Sequence, residues 1–125
     1  MSKFMALALA STAGGLARYQ LTTLTHRFLG YNFPYGTLVV NLTGCFIVGI
    51  LSVVTEKKFF LGHDARLILI AGFCGAFTTF SAFMLETDAL LKSDPFKAFL
   101  NVLFSLAAGF IFFRLGASFG AALSS

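Results

Sequence analysis

Residues 67–86 read LILIAGFCGAFTTFSAFMLE and carry no charged side chain before Glu86. A bilayer core takes ~20 apolar residues of helix, so a stretch of this length and composition is a membrane span. Its centre is unusual, because Gly72, Gly75, Thr78 and Thr79 fall where a span is normally bulky. Two readings are open. In one, the helix breaks at mid-membrane, which is tolerated only where protein or water satisfies the freed carbonyls; such carbonyls are hard oxygen ligands for a small cation. In the other, Gly72 and Gly75 only permit close helix packing, and both threonines bond back to the preceding turn.

Working outward, three further apolar runs appear at residues 4–24, 37–55 and 96–123, beside 67–85 for the central one. The segment 25–36, THRFLGYNFPYG, is a loop carrying two interfacial tyrosines, Glu56-Lys57-Lys58 ends the second run, and Lys92-Ser93-Asp94-Pro95 precedes the fourth. The first run has a rival reading as a signal peptide, since Lys3 and the small-residue cluster around Ala10 imitate the n and cleavage regions. Its stripe Ala6, Ala10, Gly14 argues for a retained helix with a close-packing face. The expectation is an all-α membrane protein, one four-span domain over 1–125, with both termini on one side. Composition agrees: 58% of the 125 residues are apolar and 11% charged, against about 45–50% and about 25% in soluble domains. Disordered and nucleic-acid-binding classes are poor fits, and no nucleic-acid partner is expected.

The net charge of +4 says little until it is distributed. Lys3, Lys57, Lys58, Arg66 and Arg114 fall toward the side of the termini, and Arg18, Arg27, Lys92 and Lys97 toward the other, five cations against four. The excess of cytoplasmic cations that normally orients a membrane protein is almost missing. Such a chain can insert both ways, and opposed copies can pair about an axis in the membrane plane; a single topology set by one strong loop is the alternative.

Polar residues inside the spans are few. Thr37, Asn41, Gly44, Val48 and Ser52 share one helical face. The Asn41 amide is costly to leave unpaired in hydrocarbon, and it serves equally as an interhelical bond or as a pore lining. Phe80 and Phe83 share a face beside Ser81. Among 17 phenylalanines, lipid-facing filler is the default reading, yet a ring edge is electropositive and can favour an anion without gripping it. Arg18 either snorkels to the headgroups or stands in an anion-attracting vestibule. Cys45 and Cys74 lie deep in apolar runs and read as small packing residues. The spans hold no mid-membrane carboxylate, metal cluster, phosphate loop or nucleophile with a base, so the chain is not expected to be an enzyme.

The stretches Gly36-Thr37-Leu38-Val39-Val40-Asn41-Leu42 with Gly44 and Gly49, and Gly72 through Phe83, resemble the CrcB/Fluc family of microbial fluoride channels. Gly14, Gly15 and Arg18 fall in the corresponding part of the first span. The resemblance implies a dual-topology homodimer in the bacterial plasma (inner) membrane, with a broken third helix and two antiparallel pores that export fluoride passively. By position, Phe80 and Phe83 match the pore phenylalanines and Asn41 the pore asparagine, while Thr79, Ser81 and Ser105 lie on a polar track and Arg18 near a vestibule. Gly75 and Thr78 match positions whose backbone carbonyls hold a structural sodium ion at the dimer interface. Two departures stand out: Ala82 replaces a threonine common in relatives, and Gly109 a second fourth-span serine.

A pore selective for fluoride must replace tightly held water with donors such as an amide, hydroxyls and ring edges. A small multidrug-resistance-like exporter is the nearest rival, but it needs a membrane-buried carboxylate that the first span does not have. A non-transporting membrane assembly subunit is the other.

Overall fold

The computed structural model describes residues 1–58 and 61–125, and all its regular structure there is helical. Helix α1 (Lys3–Leu29) is opened by Ser2, whose hydroxyl accepts from the Met5 amide at 3.2 Å, and ends at Gly30, where φ is +83°. That left-handed conformation suits glycine, which has no Cβ to clash. Helix α2 (Tyr35–Lys57) follows Pro34. The third transmembrane stretch is composite: a short α3 (Gly62–Arg66), a π-helical segment (Leu67–Cys74), a single turn α4 (Gly75–Phe77), a break at Thr78 and Thr79, then α5 (Phe80–Ser93). Asp94 alone joins α5 to α6 (Pro95–Leu123): its amide donates to the Leu90 carbonyl, and its carboxylate caps α6 by accepting from the Lys97 amide. Pro95 takes the first helical position, where its missing N–H costs nothing.

The end of α1 and the number of spans both differ from the sequence expectation. Helix α1 continues through Leu29, past the expected end at residue 24, because Thr23 and Thr25 return their hydroxyls to the carbonyls of Tyr19 and Leu21 and present little polarity. Four spans were expected, but among the described residues three helical stretches, Tyr35–Lys57, Gly62–Ser93 and Pro95–Leu123, are both long and apolar enough to cross a membrane. Helix α1 has the length, with 27 residues reaching about 40 Å. Arg18, Gln20 and its run of threonines dilute its apolar character.

Glycines set the packing. Helix α2 lies closest to α6, where a Cβ on Gly49 would run into the Phe113 carbonyl oxygen and one on Gly116 into the Phe46 carbonyl oxygen; one on Gly120 would fall 2.8 Å from the Ile50 carbonyl oxygen. Helix α1 seats on the π-helical segment in the same way, with Gly14 against the Phe73 carbonyl and Gly72 against Ala10 and Leu7. Small residues let backbones touch, which matters in lipid because hydrocarbon gives helices no hydrophobic reason to associate. The buried apolar core is correspondingly small: Val40, Cys74, Phe77, Phe83 and Ala98. Large apolar side chains such as Phe96, Phe99 and Phe110 face outward, as lipid contact requires.

The adjacent glycines of α1 make a controlled test of this packing. Gly14→Ala, whose new Cβ would run into the Phe73 carbonyl, should destabilise the protein by about 1–3 kcal/mol through overpacking. Gly15, with nothing near a new Cβ, should tolerate alanine or gain up to ~1 kcal/mol of helix propensity. Unfolding in a mixed-micelle titration, followed by circular dichroism, measures both.

Candidate functional site

The site is built on the break between α4 and α5. Thr78 (φ −84°, ψ 160°) and Thr79 (φ −150°, ψ 116°) are extended, so the helical ladder stops there. The Thr78 amide and hydroxyl both donate to the Cys74 carbonyl, at 2.9 Å each, and close the turn behind the break. Thr79 is served from another helix. Asn41 of α2 accepts from the Thr79 amide at 2.8 Å and donates through Nδ2 to the Thr79 carbonyl at 3.0 Å. One side-chain amide thus replaces both ladder partners of one residue, the satisfaction that an irregular backbone in a membrane demands. Gly44, one turn along from Asn41, makes room for the Thr78 methyl group.

This pairing redirects two amides. The Thr79 amide would close the helical ring on the Gly75 carbonyl, but it goes to Asn41. The Ala82 amide would do the same for Thr78, but it donates to the Thr79 hydroxyl, which caps α5, at 3.2 Å. The Gly75 and Thr78 carbonyls are therefore both released from their i+4 partners, and remain as hard oxygen donors.

A cleft of about 320 Å³ opens beside the break, and its lining includes Asn41, Thr78, Thr79, Phe80, Phe83 and Ser105. Asn41, the ring pair and the fourth-span serine thus share one wall. The two rings stand 5.9 Å apart between centroids and are tilted by 57°. Phe80 is 71% exposed and Phe83 only 5%. Cys45 lines the same cleft, and a Cβ on Gly109 would sit 3.6 Å from its sulfur, an ordinary contact.

A second cleft of about 510 Å³ holds Arg18 with Thr37, Thr79, Ser81, Ala82 and Glu86. Thr79 borders both clefts, and its hydroxyl lies 3.3 Å from that of Ser81. The fold therefore divides the expected residues between two adjoining spaces: Arg18 and Ser81 in one, Asn41, Phe80, Phe83 and Ser105 in the other. Gly75 lies behind the break.

Two interhelical ties went unread in the sequence. The Thr37 hydroxyl donates to Glu86 Oε1 at 2.8 Å, while Oε2 is buried without a partner. Asn101 donates to the Thr87 hydroxyl at 2.9 Å. Thr37 stood in the polar stripe of the second span, and Asn101 is a polar residue within the apolar run 96–123, so one half of each tie is visible in the sequence. Its partner is not, because Glu86 and Thr87 look like the ordinary polar end of a span.

The sequence model of a family described as CrcB-like protein, Camphor Resistance (CrcB), matches residues 5–117. A relative from Desulforapulum autotrophicum named fluoride-specific ion channel FluC is 44% identical over 109 residues, covering 86% of this chain and 87% of the relative. Proteins of the same name from Solidesulfovibrio magneticus and Hydrogenobaculum sp. are 41% and 37% identical over 121 residues each, 96% of this chain and 97% and 98% of theirs.

The clamp on Thr79 has a direct readout. Asn41→Leu should accelerate hydrogen exchange of the Thr79 amide by about tenfold, equivalent to ~1.4 kcal/mol for a lost buried hydrogen bond. The Thr78 amide, held by Cys74, should change much less. Amide exchange resolved by NMR in micelles checks the contrast.

Proposed function

The chain belongs to the CrcB-like, camphor-resistance family, and on that premise we propose that it is a passive fluoride-selective channel that carries the ion out of the cytoplasm and so limits its toxicity. The observation that carries the reading is the gathering of Asn41, Phe80, Phe83, Thr79 and Ser105 on one cleft beside a broken helix. The relatives' shared name, fluoride-specific ion channel, supports the choice of ion. Channel conduction breaks no covalent bond, and the chain acts as a transporter rather than an enzyme.

Fluoride is small and holds its water tightly, so a path must offer replacement donors. Nδ2 of Asn41 has two hydrogens and spends one on the Thr79 carbonyl, leaving the other for an anion. The Thr79 hydroxyl accepts from the Ala82 amide, so its own hydrogen is free to turn toward Ser81 or the ion. Ring edges of Phe80 and Phe83 add a weak positive surface from which the ion can still leave. Arg18 beside Ser81 supplies the attracting charge of a vestibule that feeds the hydroxyls. Hydrogen fluoride enters from acidic surroundings as a neutral acid and dissociates in the less acidic interior, and the membrane potential drives the trapped anion outward.

The working unit is an antiparallel, dual-topology homodimer, multi-pass in the bacterial inner membrane, with α1 as the fourth span of each copy. The five-to-four split of cations supports the opposed insertion, and the exposure of Phe80 on a single chain supports a second copy closing the cleft. The Gly75 and Thr78 carbonyls, released from their helical partners, have the chemistry to hold a structural sodium ion, two oxygens from each copy. Such an ion would supply a fixed positive charge at the dimer axis.

Two measurements test this. Proteoliposomes loaded with fluoride should release it when a potassium ionophore sets a membrane potential, with chloride retained. Phe80→Ile and Asn41→Asp should each cut the efflux at least tenfold without preventing dimer assembly; wild-type rates would remove both residues from the path. For the ion, crystals grown with a heavier monovalent cation in place of sodium should show density between the Gly75 and Thr78 carbonyls of the two copies, and its absence would sink the sodium site.

A further inference from the structure

Helix α5 carries both candidate pore rings, yet it is cut off from the preceding helix by the break at Thr78 and Thr79. Its orientation must come from lateral ties. Near its start it has Asn41 on Thr79, and further along Thr37 on Glu86, both from α2. From α6 it has one side-chain hydrogen bond among the described residues: Nδ2 of Asn101 donates to the Thr87 hydroxyl at 2.9 Å, and that hydroxyl donates to the Phe83 carbonyl at 2.7 Å. Threonines elsewhere return a hydroxyl to the preceding turn, as Thr12, Thr43 and Thr55 do. Among the described residues Thr87 is distinguished by accepting from a second helix while it does so. Accepting polarises the hydroxyl and strengthens its own donation. Asn101 itself is 2% exposed and Phe83 is 5% exposed, so the relay runs through the interior.

We propose that Asn101 is a positioning residue for the ion path: through the Thr87 hydroxyl it holds the backbone of Phe83 and fixes the angle between the Phe83 and Phe80 rings. The proposal rests on the reading that these two rings line the path. Asn101 lines neither of the clefts described above, so its effect on conduction passes through α5. A back-bonding threonine biases the bend of its own helix. Tied to α6 by Asn101, Thr87 sets that bend at one value. Without the tie, the side-chain bonds holding α5 come from α2 alone among the described residues, and the tilt between the rings spreads over a range.

The test compares fluoride efflux and the fluoride-to-chloride ratio, per assembled dimer, in proteoliposomes of Asn101→Leu, Thr87→Val, the double variant, Thr87→Ser and Phe83→Ile. Efflux should fall at least fivefold, with a lower ratio, in Asn101→Leu and Thr87→Val. The double variant should be no worse than either single one, and Thr87→Ser should restore most of the rate because it keeps the hydroxyl. Should Asn101→Leu fail to assemble, the Thr87 pair decides the matter alone. Wild-type behaviour of Thr87→Val, losses that multiply in the double variant, or Thr87→Ser as slow as Thr87→Val would each overturn the relay. Phe83→Ile separates the two levels: a loss there with none in Thr87→Val removes the relay and leaves the ring pair standing, whereas no loss there removes the ring pair and the relay with it.

Discussion

A broken helix in hydrocarbon is a liability unless something outside the ladder accepts and donates in its place, and here one side chain meets that demand. Asn41 pairs with both the amide and the carbonyl of Thr79. Two unpaired backbone groups in lipid would cost several kcal/mol, so the open turn is stable only with α2 in register beside it. The register in turn depends on Gly44, which accepts the Thr78 methyl, and on Gly49, which lets α2 lie against α6. Every further feature of the site inherits its position from that one exchange: the released carbonyls behind it, the capped α5 in front, and the two clefts on either side of Thr79.

The same exchange explains why the asparagine can hold two jobs. A single amide has two donors and a two-lone-pair acceptor. Structural pairing consumes one donor and one acceptor position, and the remaining hydrogen is left beside the rings. An aspartate would keep the bond from the Thr79 amide but lose both donors, and a leucine would lose everything; the chemistry of an amide is what the position calls for.

Much of this was legible in the residues. Glycine and threonine at the middle of an apolar span raised a helix break as one of two readings, beside close packing, and helical spacing put Asn41 on a face turned to protein or water. What could not be read was the choice between a bond and a lining for Asn41, since spacing fixes a face and not a partner. The π-helical segment Leu67–Cys74 was also invisible, because its apolar run fits either helical period. Helix α1 outran its expected end for a related reason: threonines that bond to their own preceding turn look polar in a sequence and are much less so in a helix. Glu86 and Thr87 escaped notice because burial by neighbouring helices, and not residue type, gives them their weight.

The single-residue joint at Asp94 makes α5 and α6 a hairpin with one closed end. Seen mechanically, α5 is a lever of 14 residues, about 21 Å long, pivoting on that joint with the rings near its free tip. An angular play of about 5° at Asp94 would carry the tip by ~2 Å, more than the radial difference between small halide ions. Tolerance therefore tightens with distance from the pivot. The ties follow that rule: Thr87 and Glu86 brace the mid-length, and the two-point clamp of Asn41 sits at the far end, where an error is largest.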